Sequence, residues 1–132
     1  THGISYFNAE LIRLEELLKF CKGSASGERS ERLKTLIILD EILKGTNSLD
    51  KLNGSRKFLE AISKLPVSGI IATHDLELSK MENDPSGKFH NFCFEIDLGT
   101  DVTYTYKIQR GVARNQNATF LLNKILEKNF GE

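Results

Sequence analysis

The sequence predicts an α/β fold with parallel core strands, a carboxyl-terminal antiparallel hairpin and flanking helices. Three observations carry that reading. Two short apolar runs, Leu36 to Leu39 and Gly69 to Ala72, enclose a stretch whose apolar residues recur at helical spacing. A strand, a helix and a strand in that order are the signature of a βαβ unit, whose crossover is right-handed. Beyond it the apolar residues change to a period of two, which is how a hairpin reads.

In chain order, Leu11, Leu14, Leu18 and Cys21 share one helical stripe, so a helix is expected over roughly 6–21 with Ser5 as its N-cap. Residues 22–30 are small, polar and aperiodic and read as a surface loop. The run Leu36, Ile37, Ile38, Leu39 has no polar face, the mark of a strand buried on both sides. Leu52, Phe58, Leu59, Ile62 and Leu65 make the next helix, stopped by Pro66. A short helix near 76–81 ends before the turn cluster Asn83, Asp84, Pro85, Ser86, Gly87. Phe92, Phe94, Ile96 and Leu98, then Val102, Tyr104, Tyr106 and Ile108, alternate with polar residues on either side of Gly99, Thr100 and Asp101, predicting a hairpin with one buried and one wet face. Ala118, Leu121, Leu122, Ile125 and Leu126 mark a last helix.

The 132 residues suit one domain, and an apolar fraction of 39% with 27% charged residues is that of an ordinary globular chain. Eighteen basic residues balance 18 acidic ones, so no basic surplus marks a nucleic-acid or membrane surface. Cys21 and Cys93 have no ligand or redox spacing and fit free thiols in a reducing, cytoplasmic setting. No apolar run has the roughly 20 residues of a membrane span, and the first residues have no signal-peptide pattern. The three histidines and two cysteines show no zinc spacing, and no Ser or Cys sits in a nucleophile-elbow context.

The most informative segment ends the first strand: four aliphatics deliver Asp40 and Glu41 to its carboxyl end, where open α/β sheets place their ligands. In P-loop NTPases such a strand is the Walker B element, whose Asp helps hold Mg²⁺ and whose following Glu can orient and deprotonate water. Gly45, Thr46, Asn47 and Ser48 follow closely, and His74 closes the next strand candidate, positioned to reach a γ-phosphate.

These residues resemble a known family. The run 39–48, then Gly54 and Ser55, then Ala72 to Leu78, is similar to the ATPase domain of MutS-type mismatch-repair proteins, in the ABC class of P-loop ATPases. The similarity extends upstream through Ile4, Ser5, Tyr6, Phe7, Asn8, Ala9 and Glu10, which match a Ser-Thr-Phe-x-x-Glu stretch with Tyr6 in place of the usual Thr, and downstream through Tyr106 to Ile108 and Gly111 to Arg114. The resemblance implies ATP and Mg²⁺ as cofactors, with Asp40 on the metal, Glu41 as catalytic base and His74 as γ-phosphate sensor. It implies that residues 45–48 form a loop crossing a homodimer interface, and that Ser5 caps a helix facing the other subunit's nucleotide. Mismatched or branched DNA would be read by other regions of the protein. The segment 111–114 reads as a structural connection into the last helix.

The sequence contains no G-x-x-x-x-G-K-[ST]: five residues after Gly23 and Gly45, where the second glycine would stand, are Glu28 and Asp50. Without that loop no converging amides or lysine grip the β- and γ-phosphates. The expectation is therefore an incomplete P-loop NTPase domain spanning 1–132, poorly active alone and cut from a longer chain. Two other readings stay open: a non-catalytic ATPase-like interaction module, and another ABC-class DNA-maintenance ATPase.

Overall fold

The computed structural model describes residues 2–26, 35–98, 102–113 and 117–131. The elements run α1 (His2–Ser26), β1 (Thr35–Asp40), α2 (Ser48–Ile62), β2 (Val67–Ala72), a 3-10 turn (Leu78–Asn83), β3 (Phe92–Leu98), β4 (Val102–Arg110) and α3 (Asn117–Phe130). They divide into two compact units, Thr1–Met81 and Glu82–Glu132. The predicted α/β class holds: a parallel pair, an antiparallel hairpin and helices. The turn expected at 99–101, part of the 22–30 loop and Arg114 lie outside the described residues.

In the first unit β1 and β2 pair in parallel, with Ile37 opposite Gly69, Leu39 opposite Ile71 and Asp40 opposite Ala72. Gly69 is required by that register, because a Cβ there would stand 2.8 Å from Ile37 Cγ1. Ile37 forms the core with Cys21 of α1 and Ile62 of α2, and Leu17, Leu39, Phe58, Leu65 and Val67 pack around them. Full burial of a side chain such as Ile37 or Ile62 contributes roughly 1.5–3 kcal/mol. Asn47 caps α2: its Oδ1 accepts from the Asp50 amide at 2.9 Å and its Nδ2 donates to Asp50 Oδ2 at 2.8 Å. α2 ends at Ile62 with Ser63 as its C-cap, so Leu65 lies beyond the helix and Pro66 is not what stops it.

Several expectations are corrected. β1 is not buried on both faces: Ile37 is, but Leu36 is 60% and Ile38 72% exposed, because α1 and α2 cover one face of the pair only. α1 continues through Lys22 to Ser26, since small residues with a single Gly23 lower helix stability without breaking it. Ser5 lies inside α1, not at its cap: the helix begins at His2 and tolerates Gly3, since a single Gly lowers helix stability without breaking it.

In the second unit β3 and β4 are antiparallel, Phe94 facing Ile108 and Ile96 facing Tyr104. One residue of β3 thus spans three of β4, a bulge in which Tyr106 takes a left-handed φ of 55°. Among the described side chains the expected buried hairpin face is not found: Phe92, Phe94, Tyr106 and Ile108 are exposed, as are Leu122, Ile125 and Leu126 of α3. Alternation correctly signals an apolar face but does not say that this chain covers it.

Candidate functional site

The acidic pair leaves β1 where the parallel ladder ends. Asp40 is its last residue, opposite Ala72, and the amide of Glu41 carries the ladder one step further by donating to Ala72 O at 2.9 Å. Glu41 then turns sharply, with a left-handed φ of 45°, and Leu43 repeats the conformation at 59°. For non-glycine residues this costs roughly 1–2 kcal/mol each, and it is offset by burial of Ile42 and Leu43. Leu43 fits because α2 presents Gly54 to it: a Cβ on Gly54 would collide with Leu43 Cδ1. The result is that the two carboxylates diverge. Asp40 is exposed, whereas Glu41 turns across to the end of β2.

There the Glu41 carboxylate is fastened at both oxygens. The His74 amide donates to Oε1 at 3.0 Å, and the Lys51 ammonium stands 3.4 Å from Oε2. Both side chains are largely enclosed, Lys51 being 25% and Glu41 19% exposed. Lys51 sits in the first turn of α2, the end of a helix where a cation is disfavoured, and the ion pair compensates it. The backbone hydrogen bond from His74 holds the Glu41 carboxyl below its usual value; partial burial opposes this, and the Lys51 charge adds to the lowering.

Of the other expected residues, His74 lies just beyond β2 with its side chain exposed, joined to the acidic pair through its backbone. Its connection is organised by short-range bonds: the Asp75 amide donates to Thr73 Oγ1 at 3.0 Å, and the Glu77 amide to Asp75 Oδ1 at 2.9 Å. Gly45 and Thr46 are half-buried in the loop, Asn47 is engaged as the α2 cap, and Ser48 is the first residue of α2 instead of a loop residue. Gly45 packs on α1 so closely that a Cβ would stand 3.0 Å from Tyr6 Cδ1 and 3.2 Å from Phe7 Cα. Ser5, one residue before Tyr6 in the same helix, is exposed. Asp40, Glu41, the His74 backbone and the Gly45 loop therefore belong to one region of the first unit.

Lys51 and Glu10 were not anticipated. Glu10 accepts from the amides of Lys44 at 3.1 Å and Gly45 at 3.4 Å. The only sequence signal for Glu10 was its place in the segment that begins at Ile4; Lys51 had none. Cys21 and Cys93 are free thiols, as expected, and burial raises the pKa of Cys21. No helix among the described residues is long and apolar enough to cross a membrane.

The chain is similar to curated DNA mismatch repair proteins named MutS. That of Acetivibrio thermocellus is 36% identical over 115 residues, covering 86% of this chain and 12% of that protein. That of Lachnoclostridium phytofermentans is 35% identical over 84% of this chain, and that of Aquifex pyrophilus 29% identical over 85%. The chain spans about an eighth of the length of these relatives. No family model matches it.

Proposed function

From a chain that belongs, along the segment they share, to the MutS-type DNA mismatch repair proteins, we propose that it supplies the metal-binding and water-activating half of a Mg²⁺-dependent ATPase site. The observation that carries this reading is the two-point fastening of Glu41 beside the exposed Asp40, at the carboxyl end of a parallel pair. Mg²⁺ takes one or two carboxylates and fills its remaining positions with phosphate oxygens and water. One exposed carboxylate is the kind of ligand such a site requires, and Asp40 would hold the ion. When bound with ATP, the metal neutralises charge developing on the transferred phosphoryl group.

Glu41 orients the attacking water and accepts its proton. A carboxylate has about four lone-pair sites, so two can remain occupied by His74 N–H and Lys51 while others face water. A carboxyl below its usual pKa is a weak base, but it is ionised throughout the neutral range. Phosphoryl transfer depends mainly on positioning and electrostatics, so an oriented, permanently charged carboxylate suits it. The exposed His74 ring donates to the γ-phosphate. Ser5 and the loop 45–47 face the nucleotide of a second subunit in a homodimer, and ATP turnover drives conformational change on mismatched DNA. The phosphates themselves are gripped by a P-loop that this sequence does not contain.

The test is Glu41→Gln in a protein that joins this sequence to a P-loop. Turnover should fall by roughly 10²–10⁴-fold while Mg²⁺–ATP still binds. Normal turnover in that variant removes Glu41 from the mechanism, whereas no turnover in the unsubstituted protein favours a non-catalytic interaction module.

A further inference from the structure

Glu10 lies in α1, outside the acidic strand end, yet it reaches the loop that follows it. Its two carboxylate oxygens accept from consecutive backbone amides, Oε2 from Lys44 and Oε1 from Gly45. Successive amides that converge on one anion form a nest, and here the anion is a side chain of the same protein. The left-handed Leu43 precedes this pair of amides, and its side chain is buried against Gly54. A second contact joins the same segments, because Gly45 has no room for a Cβ against Tyr6 and the backbone of Phe7. One helix thus meets one loop both by charge-assisted hydrogen bonds and by close packing, about one turn from Ser5.

We propose that Glu10 is a positioning residue: its carboxylate, gripping the amides of Lys44 and Gly45, joins the Ser5 end of α1 to the 45–47 loop so that these two segments move as one body. The inference rests on the ATPase reading for its consequence. If both segments face the nucleotide of a neighbouring subunit, Glu10 makes them respond together to its phosphates. A carboxylate suits this role better than an amide, since bonds to a charged acceptor are about twice as strong and only an acceptor at both ends can serve two N–H groups.

Amide hydrogen exchange and residual dipolar couplings on this chain, without nucleotide, test the clamp. In Glu10→Ala the amides of Lys44 and Gly45 should exchange roughly ten- to a hundredfold faster, the range expected for losing a hydrogen bond to a charged group. The Glu41 amide, bonded to Ala72 O, should keep its rate. Glu10→Gln, which retains one accepting oxygen in the same shape, should restore part of the protection. Couplings for residues 5–10 and 44–47 should fit one alignment tensor in the wild type and separate in Glu10→Ala. Unchanged exchange at Lys44 and Gly45 would overturn the proposal, as would equal acceleration at Glu41, which marks general destabilisation. Because no readout uses ATP, a failed clamp leaves the ATPase reading standing, and a protein joined to a P-loop that holds the clamp but hydrolyses nothing sinks only that reading.

Discussion

Residues 41–47, which leave β1, are fastened by Glu10 of α1 and Lys51 of α2, whereas residues 73–77, which leave β2, are organised chiefly by Thr73 and Asp75 themselves. Both connections start from carboxyl ends of the same parallel pair, and Glu41 joins them through the His74 amide. The first contains two strained non-glycine residues and buries Ile42 and Leu43; the second has neither. Strain persists only where surrounding structure over-determines it, so the first connection is the rigid one. The second can change its turn without moving either helix. A catalytic carboxylate and a phosphate sensor would be mounted in those two ways: the base fixed, the sensor free to follow its ligand.

The largest effect should come from Gly45→Ala. The added methyl meets the Phe7 backbone at 3.2 Å, which cannot rotate away as a side-chain end can. Overpacking of this kind costs roughly 1–3 kcal/mol, read as a lower urea midpoint with unchanged slope. A cost below about 0.5 kcal/mol, the range of ordinary surface changes, would show that the first connection is not held against α1 and that the contrast is false.

A smaller effect is expected from Lys51→Met, at about 1 kcal/mol or less for a partly enclosed ion pair, and its pH dependence sharpens the comparison. The folded pKa of Glu41 lies below the unfolded value of about 4.3. The carboxylate therefore contributes stability that is fully present above that value and is lost as pH falls through the folded pKa. In Glu41→Gln this acid-dependent part of the stability should disappear. In Lys51→Met it should shrink but persist, because the His74 amide is the larger cause. Denaturation between neutral and acid pH measures both. If Lys51→Met removes the whole dependence, the ion pair outweighs the backbone bond, and the two connections are less tightly joined than the geometry implies.

How much of this was legible in the sequence follows the range of each interaction. Asp40 and Glu41 could be read because an uninterrupted aliphatic run that ends in acids is a local pattern, and the parallel pairing followed from strand–helix–strand order. Lys51 could not, and Glu10 only as a member of the segment that begins at Ile4 with no role attached, since each acts by where a helix turn falls beside a strand end. Nor does a leucine announce that it will adopt a left-handed φ: Leu43 does so because Gly54 leaves it a place. Ser5 showed the limit of cap signals, because a serine also continues a helix when nothing upstream breaks it. The exposed Leu36, Ile38, Phe92 and Phe94 show that periodicity marks an apolar face without saying which residues cover it.

The smallest effects should fall on the second connection. Thr73→Val removes the acceptor for the Asp75 amide, and Asp75→Ala the acceptor for the Glu77 amide. Each is a short-range, largely exposed bond whose donor can turn to water, so each should cost about 0.5 kcal/mol or less. The informative measurement is a double-mutant cycle with Gly45→Ala. Gly45 donates to Glu10 and Thr73 accepts from Asp75, so the two costs should add to within about 0.5 kcal/mol. A larger coupling would mean that the Glu41–His74 bond transmits strain between the connections. In that case His74 is not independently mobile, and β1 and β2 end in a single braced unit.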